Sequence, residues 1–379
     1  MKRTVGLPDH TTRTTKEPTE PNRLFKEKGK FMKINRSIGS VFLVPYAVVG
    51  LWSFTAGQNT LAQNLTTATA INNLGDIAGG RCVDNCTSFH ATLIRRFGLE
   101  DFGTFGGPAS VAFGVNDRGN VVGQSDTDVL DVNGVDYVSL AFLADGGGVH
   151  SLGTLPGYRH SQAFGINNRG QIVGWSYNFD PVVPFRTVPN FHAFLYEVGS
   201  MRDLGTLGGS ISVAFGINDL GQIVGRSRNG TGEVHAFLYE RGGMTDLGTL
   251  GGNFSTARAI NAQGWIVGGS RLSNRQMRAF VVIHGVMHEL GTLGGTYSEA
   301  FAVNNAGVIV GAAHTAAEQP HAFVYSNDTM IDLGTLGGTY SVALGVNDLG
   351  DIVGEAETAS GEVHGFVYRD GIMRDLTTP

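Results

Sequence analysis

His and Asp recur together in this chain, eleven residues apart: His90 with Asp101, His192 with Asp203, His235 with Asp246, His321 with Asp332 and His364 with Asp375. An imidazole bonded to a carboxylate is the pair that orients a general base beside a nucleophile. No Ser or Cys nucleophile accompanies all five pairs, and a catalyst needs one assembled site rather than five equivalent ones. Two further copies of the slot show what the pairing is for. One holds Arg278 with Glu289, again a donor and an acceptor; the other holds Leu140 with Ser151, losing both ionisable members at once. Covariation inside a single chain predicts a structural clamp between neighbouring strands, where a desolvated carboxylate needs a partner. No residue is assigned a catalytic role.

Three loops carry other chemistry. The first holds Cys82 and Cys86, which could close a small disulfide in an oxidising compartment. With no second cysteine pair, a zinc site is disfavoured. The second holds Asp126, Asp128, Asp131, Asn133 and Asp136. Clustered hard oxygens suit Ca²⁺, although the spacing is not that of an EF-hand, and a solvated acidic loop is the alternative. The third holds Trp175, Tyr177, Phe179, Asp180, Phe185 and Arg186. Exposed rings beside charged groups would suit a sugar or a peptide; the alternative is that the rings only fold the loop over the sheet. The "LGTLGG" segments lack a P-loop lysine and a dinucleotide context, so no cofactor other than Ca²⁺ is expected.

The elements that must position these residues repeat. Four short signatures recur seven times in fixed order: A/G-I/V-N, with Asn at 72, 116, 167, 218, 261, 304 and 347; G-x-I/V-V/A-G; the HAF slot; and DLGTLGG. The basic period is 43 residues. Each signature is short, rich in Val, Ile, Phe and Tyr, and bounded by Gly, Asn and Asp, so each is expected to be a strand. Asn-Asp-Leu-Gly between apolar runs predicts a tight hairpin, and the repeated Asn is assigned to that turn. Four antiparallel strands per repeat predict an all-β, seven-bladed β-propeller over residues 63–379, with a linear β-solenoid as the alternative. Length varies at one joint, between the second and third strands. Four repeats use 10 residues from Gly to the HAF slot, and the first three use 11, 17 and 18. Inserts gathered on one face of a repeat protein mark a binding face.

Residues 1–62 differ in kind. Basic residues up to position 36 precede the uncharged run Ile38–Ala62, the layout of a signal peptide, and Met32 offers an alternative start. The expectation is secretion, to the periplasm or the exterior, with a membrane anchor at 38–62 as the alternative. Removing this leader takes away ten basic and four acidic residues and leaves 17 basic and 29 acidic, a net charge of −12. That charge repels phosphate backbones and argues against nucleic acid as a partner.

The pattern "HAFLY…M-DLGTLGG…AFGIN-GQIVG" resembles the bacterial HAF-type extracellular repeat family, from about residue 67 to the end. The chain departs from it at Leu140, Ser151, Arg278, Glu289 and "LGTLPG". The resemblance implies export and a propeller-like fold, and carries no activity with it. The function expected is a non-catalytic repeat domain that binds carbohydrate or an extracellular protein on the face with the long inserts. A lyase or hydrolase of extracellular polymers, or a purely structural surface protein, is the rival.

Overall fold

The computed structural model describes residues 66–131, 136–178 and 190–377, the side chain of Asn85 excepted. The leader at 1–62, Asn133, Phe179, Asp180, Phe185 and Arg186 lie outside the described residues. Within them are 28 strands, β1 to β28 in chain order, which pair as successive four-stranded antiparallel meanders. The fourth meander is representative: β13 (Gly208–Ile217), β14 (Ile223–Asn229), β15 (Val234–Glu240) and β16 (Gly243–Asp246). Single parallel bridges tie some neighbours together, such as Val234 with Phe254.

Turn chemistry explains the repeated residues. Between β13 and β14, Asn218 Oδ1 accepts the N–H groups of Leu220 and Gln222, and Gly221 takes φ 82°. Between β15 and β16, Arg241 (φ 52°) and Gly242 (φ 84°) both lie in the left-handed region, the type I′ geometry that matches strand twist. A bulge shifts the β13–β14 register between Ala214 and Gly216. It brings the Val213 carbonyl over Gly225, where a Cβ would overlap that oxygen. The same overlap, with a first-strand carbonyl, occurs at Gly79, Gly123, Gly174, Gly268, Gly311 and Gly354. The constant glycine of "GQIVG" is therefore a packing requirement of the bulge.

One expectation is corrected. "DLGTLGG" is not a strand: β12 (Ser200–Asp203) ends at its Asp, and the next first strand, β13, begins at its glycine pair. The intervening residues step from the outside of one meander to the inside of the next. A buried Ser fixes the step: Ser212 accepts the Ala193 N–H and donates to the Gly205 carbonyl.

Hydrophobic clusters sit between meanders rather than within them. Val173, Ala193 and Leu195 of the third pack on Ala214, Ile223 and Phe237 of the fourth. Phe142, Phe194, Phe237, Phe280, Phe323 and Phe366, one per meander from the second onward, are at most 1% exposed. Each contributes on the order of 1.5–3 kcal/mol of burial.

The first strands also touch one another. Asn72 Nδ2 donates to the Asn116 carbonyl at 3.0 Å, and Asn116 to that of Asn167. The series continues through Asn218, Asn261, Asn304 and Asn347. Asn347 Nδ2 then donates to the Asn72 carbonyl at 3.2 Å, returning to the first meander. Each Asn thus closes its own turn and reaches the next unit, a second task that turn statistics do not reveal.

Candidate functional site

The clamps form. His90, His192, His235, His321 and His364 each place Nδ1 2.7–2.9 Å from the paired aspartate, and Arg278 Nε lies 3.1 Å from Glu289 Oε1. The aspartate also caps the linker turn: Asp332 Oδ1 accepts the Gly334 N–H at 2.7 Å, where Gly334 takes φ 73°. Ser151 keeps only that second task, accepting the Gly153 N–H. This is why Leu140 can stand opposite it without leaving a stranded charge. Burial pushes the Asp101 carboxyl up, but Arg81, the Gly103 N–H and His90 outweigh it and hold it below its usual range.

The insert residues divide. Cys82 and Cys86 are joined by a disulfide. Asp126 accepts the Ser139 hydroxyl at 2.6 Å, and burial raises its carboxyl. Asp131 is buried, accepting Arg159 Nε at 2.7 Å with His160 Nε2 at 3.3 Å. Asp128 and Asp136 are exposed. Among the described residues, no group of three His, Cys, Asp or Glu is placed to hold a metal ion.

In the third insert the expectation of exposed rings is corrected for Trp175 and Tyr177, which are 5% and 8% exposed. His160 stacks on Tyr177 at 4.9 Å, Tyr177 on Trp175 at 4.7 Å, and Phe191 meets Trp175 edge-on. Trp175 Nε1 donates to Gln162, and Gln162 donates to Gln124. Burial lowers the pKa of His160 despite the opposing pull of Asp131. Trp175, Tyr177 and Phe191 lie on the two strands that flank the third insert in sequence, β10 (Ile172–Tyr177) and β11 (Phe191–Glu197).

A second group lies deeper, and reading the inserts alone does not find it. A collar occupies the position three residues before the Asn: Phe113, Phe164, Phe215, Phe301 and Leu344, with Arg258 and Thr69 in the same slot. Phe113, Phe164 and Phe215 follow one another at 5.4 and 5.3 Å. Arg258 lies over Phe215 at 4.7 Å and over Phe301 at 5.5 Å. Beside it runs a polar belt of buried and half-buried residues across four meanders. Arg226 on β14 lies over Phe215 at 5.8 Å. Arg258 Nε donates to Glu299 at 2.8 Å, and Tyr297 OH donates to the other Glu299 oxygen at 2.7 Å. The charge of Tyr340 acts on Tyr297, and that of Glu355 on Tyr340. Burial, then the adjacent carboxylates, push both phenols well up. Burial alone raises Glu355 to about 7, and its Oε1 has no hydrogen-bond partner among the described residues.

On the turn side of the collar is a cavity of about 250 Å³ lined by residues of all seven meanders. Its wall is the Asn series, and its rim is Asn73, Asp117, Asn168, Asp219, Ala262, Asn305 and Asp348. The rim residues bond around the opening, for example Asn168 N–H to Asp219 at 2.8 Å and Asp348 N–H to Asn73 at 2.9 Å.

No family model and no curated protein matches the chain. Solved structures do match. The β-propeller domain of the Trilobed protease from Pyrococcus furiosus is similar at 11% identity over 84% of this chain and 97% of that one, with a TM-score of 0.53. A puromycin hydrolase is similar at 12% identity over 83% of this chain and 54% of its own, TM-score 0.54. The acylaminoacyl peptidase of Pyrococcus horikoshii is similar at 11% identity over 84% and 53%, TM-score 0.52. The chain therefore spans about half the length of those two hydrolytic enzymes. At such identity the likeness concerns fold alone, and the class is an all-β protein of β-propeller type.

Proposed function

We propose that the chain is an exported, HAF-type, seven-bladed propeller that binds a carbohydrate or protein ligand without chemical turnover, at the end bearing the long inserts. Seven blades, rather than a solenoid, are supported by the Asn347-to-Asn72 bond and by a cavity to which every meander contributes. The observation that carries the binding reading is where the repeat is broken. The three longest second-to-third joints are consecutive, and the second and third of these meanders hold the asymmetric buried residues Gln124, His160, Gln162 and Trp175. A scaffold that only needed to stand would keep such positions alike; the departures from symmetry are what a single ligand requires.

Calorimetric titration of the full chain with soluble extracellular glycans tests this, alongside a variant whose second and third inserts are shortened to the length of the four short units. Saturable binding lost in the variant is the expected result. Release of shortened polymer would establish an enzyme instead, and no binding with no turnover would favour the structural role.

A further inference from the structure

Arg226 is the anomaly of the polar belt. It is 6% exposed, and its guanidinium makes no hydrogen bond or ion pair with a described residue. It lies over the Phe215 ring at 5.8 Å, and the neighbouring cation Arg258 opposes its charge more than the Glu299 carboxylate supports it. The carboxylate that supports it, Glu299, is already spoken for: one oxygen accepts Arg258 Nε and the other the Tyr297 hydroxyl. Two guanidiniums therefore share one carboxylate in a setting where Arg258 and Glu299 are themselves 8% and 6% exposed. A buried guanidinium that shares a carboxylate already taken by another cation is under-compensated, which is costly, so the position is poor as scaffold. The equivalent slot elsewhere holds Gly80, Gln124, Trp175, Gly269, Ala312 and Glu355, so the fold does not require an arginine there.

We propose that Arg226 and Arg258 together form a binding site for the carboxylate of an anionic ligand, such as an acidic sugar, beside the Phe215 ring. The charge count selects a monoanion: one added carboxylate balances two guanidiniums and Glu299, whereas a dianionic phosphate overshoots. Guanidinium forks match a carboxylate in plane, and Phe215 supplies an apolar wall. This deepens the binding reading above by naming the ligand's chemistry, and it rests on that reading. Acetate is small enough to bind without engaging the inserts, so the two can fail separately.

The test is the melting temperature of the full chain in sodium acetate against sodium chloride at equal ionic strength. Acetate is expected to give an additional, saturating rise in the wild type, through preferential binding to the folded state. Arg226→Met is expected to abolish that rise and to melt at least about 2 °C above the wild type without acetate, because an under-compensated buried charge is gone. Arg226→Lys, which keeps the charge and loses the fork, is expected to weaken the acetate midpoint about tenfold, and it serves if Arg226→Met does not fold. Three results would overturn the proposal: no acetate-specific rise in the wild type, the same rise in Arg226→Met, or a folded Arg226→Met that melts below the wild type. A larger effect from inorganic phosphate than from acetate would overturn the assignment to a carboxylate.

Discussion

At the scale of single residues, the His–Asp pair looks like catalytic machinery and behaves as a fastener. Its two halves are unequal. His321 and Asp332 have side chains 16% and 39% exposed, so their direct attraction is screened and worth under about 1 kcal/mol. Asp332 also satisfies the Gly334 N–H at a backbone angle the turn cannot relax. Asp332→Ala is therefore expected to cost about 1–2 kcal/mol and His321→Ala less than about 1, as read from denaturant midpoints. Equal losses would mean that the pair, not the cap, is what matters. The covariation of Arg278 with Glu289 and of Leu140 with Ser151 made the pairing visible from sequence, because seven copies of one position sample the same environment. The cap was not visible, since it depends on a carboxylate reaching a backbone N–H two residues ahead.

At the scale of the strand and turn, two kinds of glycine can be told apart. A Cβ at Gly311 would overlap the Glu299 carbonyl across the bulge, whereas one at Gly334 meets no atom within 4 Å but sits at φ 73°. Gly311→Ala should cost about 3 kcal/mol, an overpacking of backbone on backbone, and Gly334→Ala about 1, from conformation alone. Urea midpoints of the two variants decide this, and a mild Gly311→Ala would show that the bulge can open. Strand number and hairpins were legible because "GQIVG" and "HAFLY" carry clear strand and turn signals. "DLGTLGG" was misjudged because its apolar Leu residues serve a linker that crosses between meanders, an arrangement no local pattern encodes. The rings of the third insert were expected outside and Trp175 and Tyr177 lie inside, because strand alternation turns them toward His160 and Phe191. The belt escaped notice for a different reason. Its positions are constant in length and variable in type, and the signal was there: the residue after the second-strand glycine runs Gly, Gln, Trp, Arg, Gly, Ala, Glu within otherwise constant text. Variation at a buried position is the mark to look for.

At the scale of the whole molecule, the seam between the last and first meanders is the distinctive junction. It is joined by Asn347 to Asn72 and by the Asp348 N–H to Asn73, and β26 (Ile352–Thr358) lies against β1 (Thr67–Ile71). Glu355 sits on β26, 5% exposed, with Tyr340 as a titratable neighbour and, among the described residues, no cation that lowers its carboxyl. Burial raises its carboxyl from 4.5 to about 7 in the folded chain. The folded state therefore holds this proton more tightly than the unfolded state. Between pH 4.5 and about 7 the unfolded chain has released the proton and the folded chain has not, so stability falls as pH rises through that window. The loss levels off above it at about 3 kcal/mol. Glu355→Gln cannot ionise and resembles the protonated acid, so it should match the wild type near pH 4.5 and exceed it above pH 7. Asp101, Asp351 and Asp375 have lowered pKa values; the stability they add is lost as pH falls toward strong acid, outside the window and equally in both proteins. Urea unfolding of the two from pH 4.5 to 8 isolates the one carboxyl. Parallel profiles would mean that water or a cation reaches Glu355 at the seam, and diverging ones that the seam holds this acid neutral.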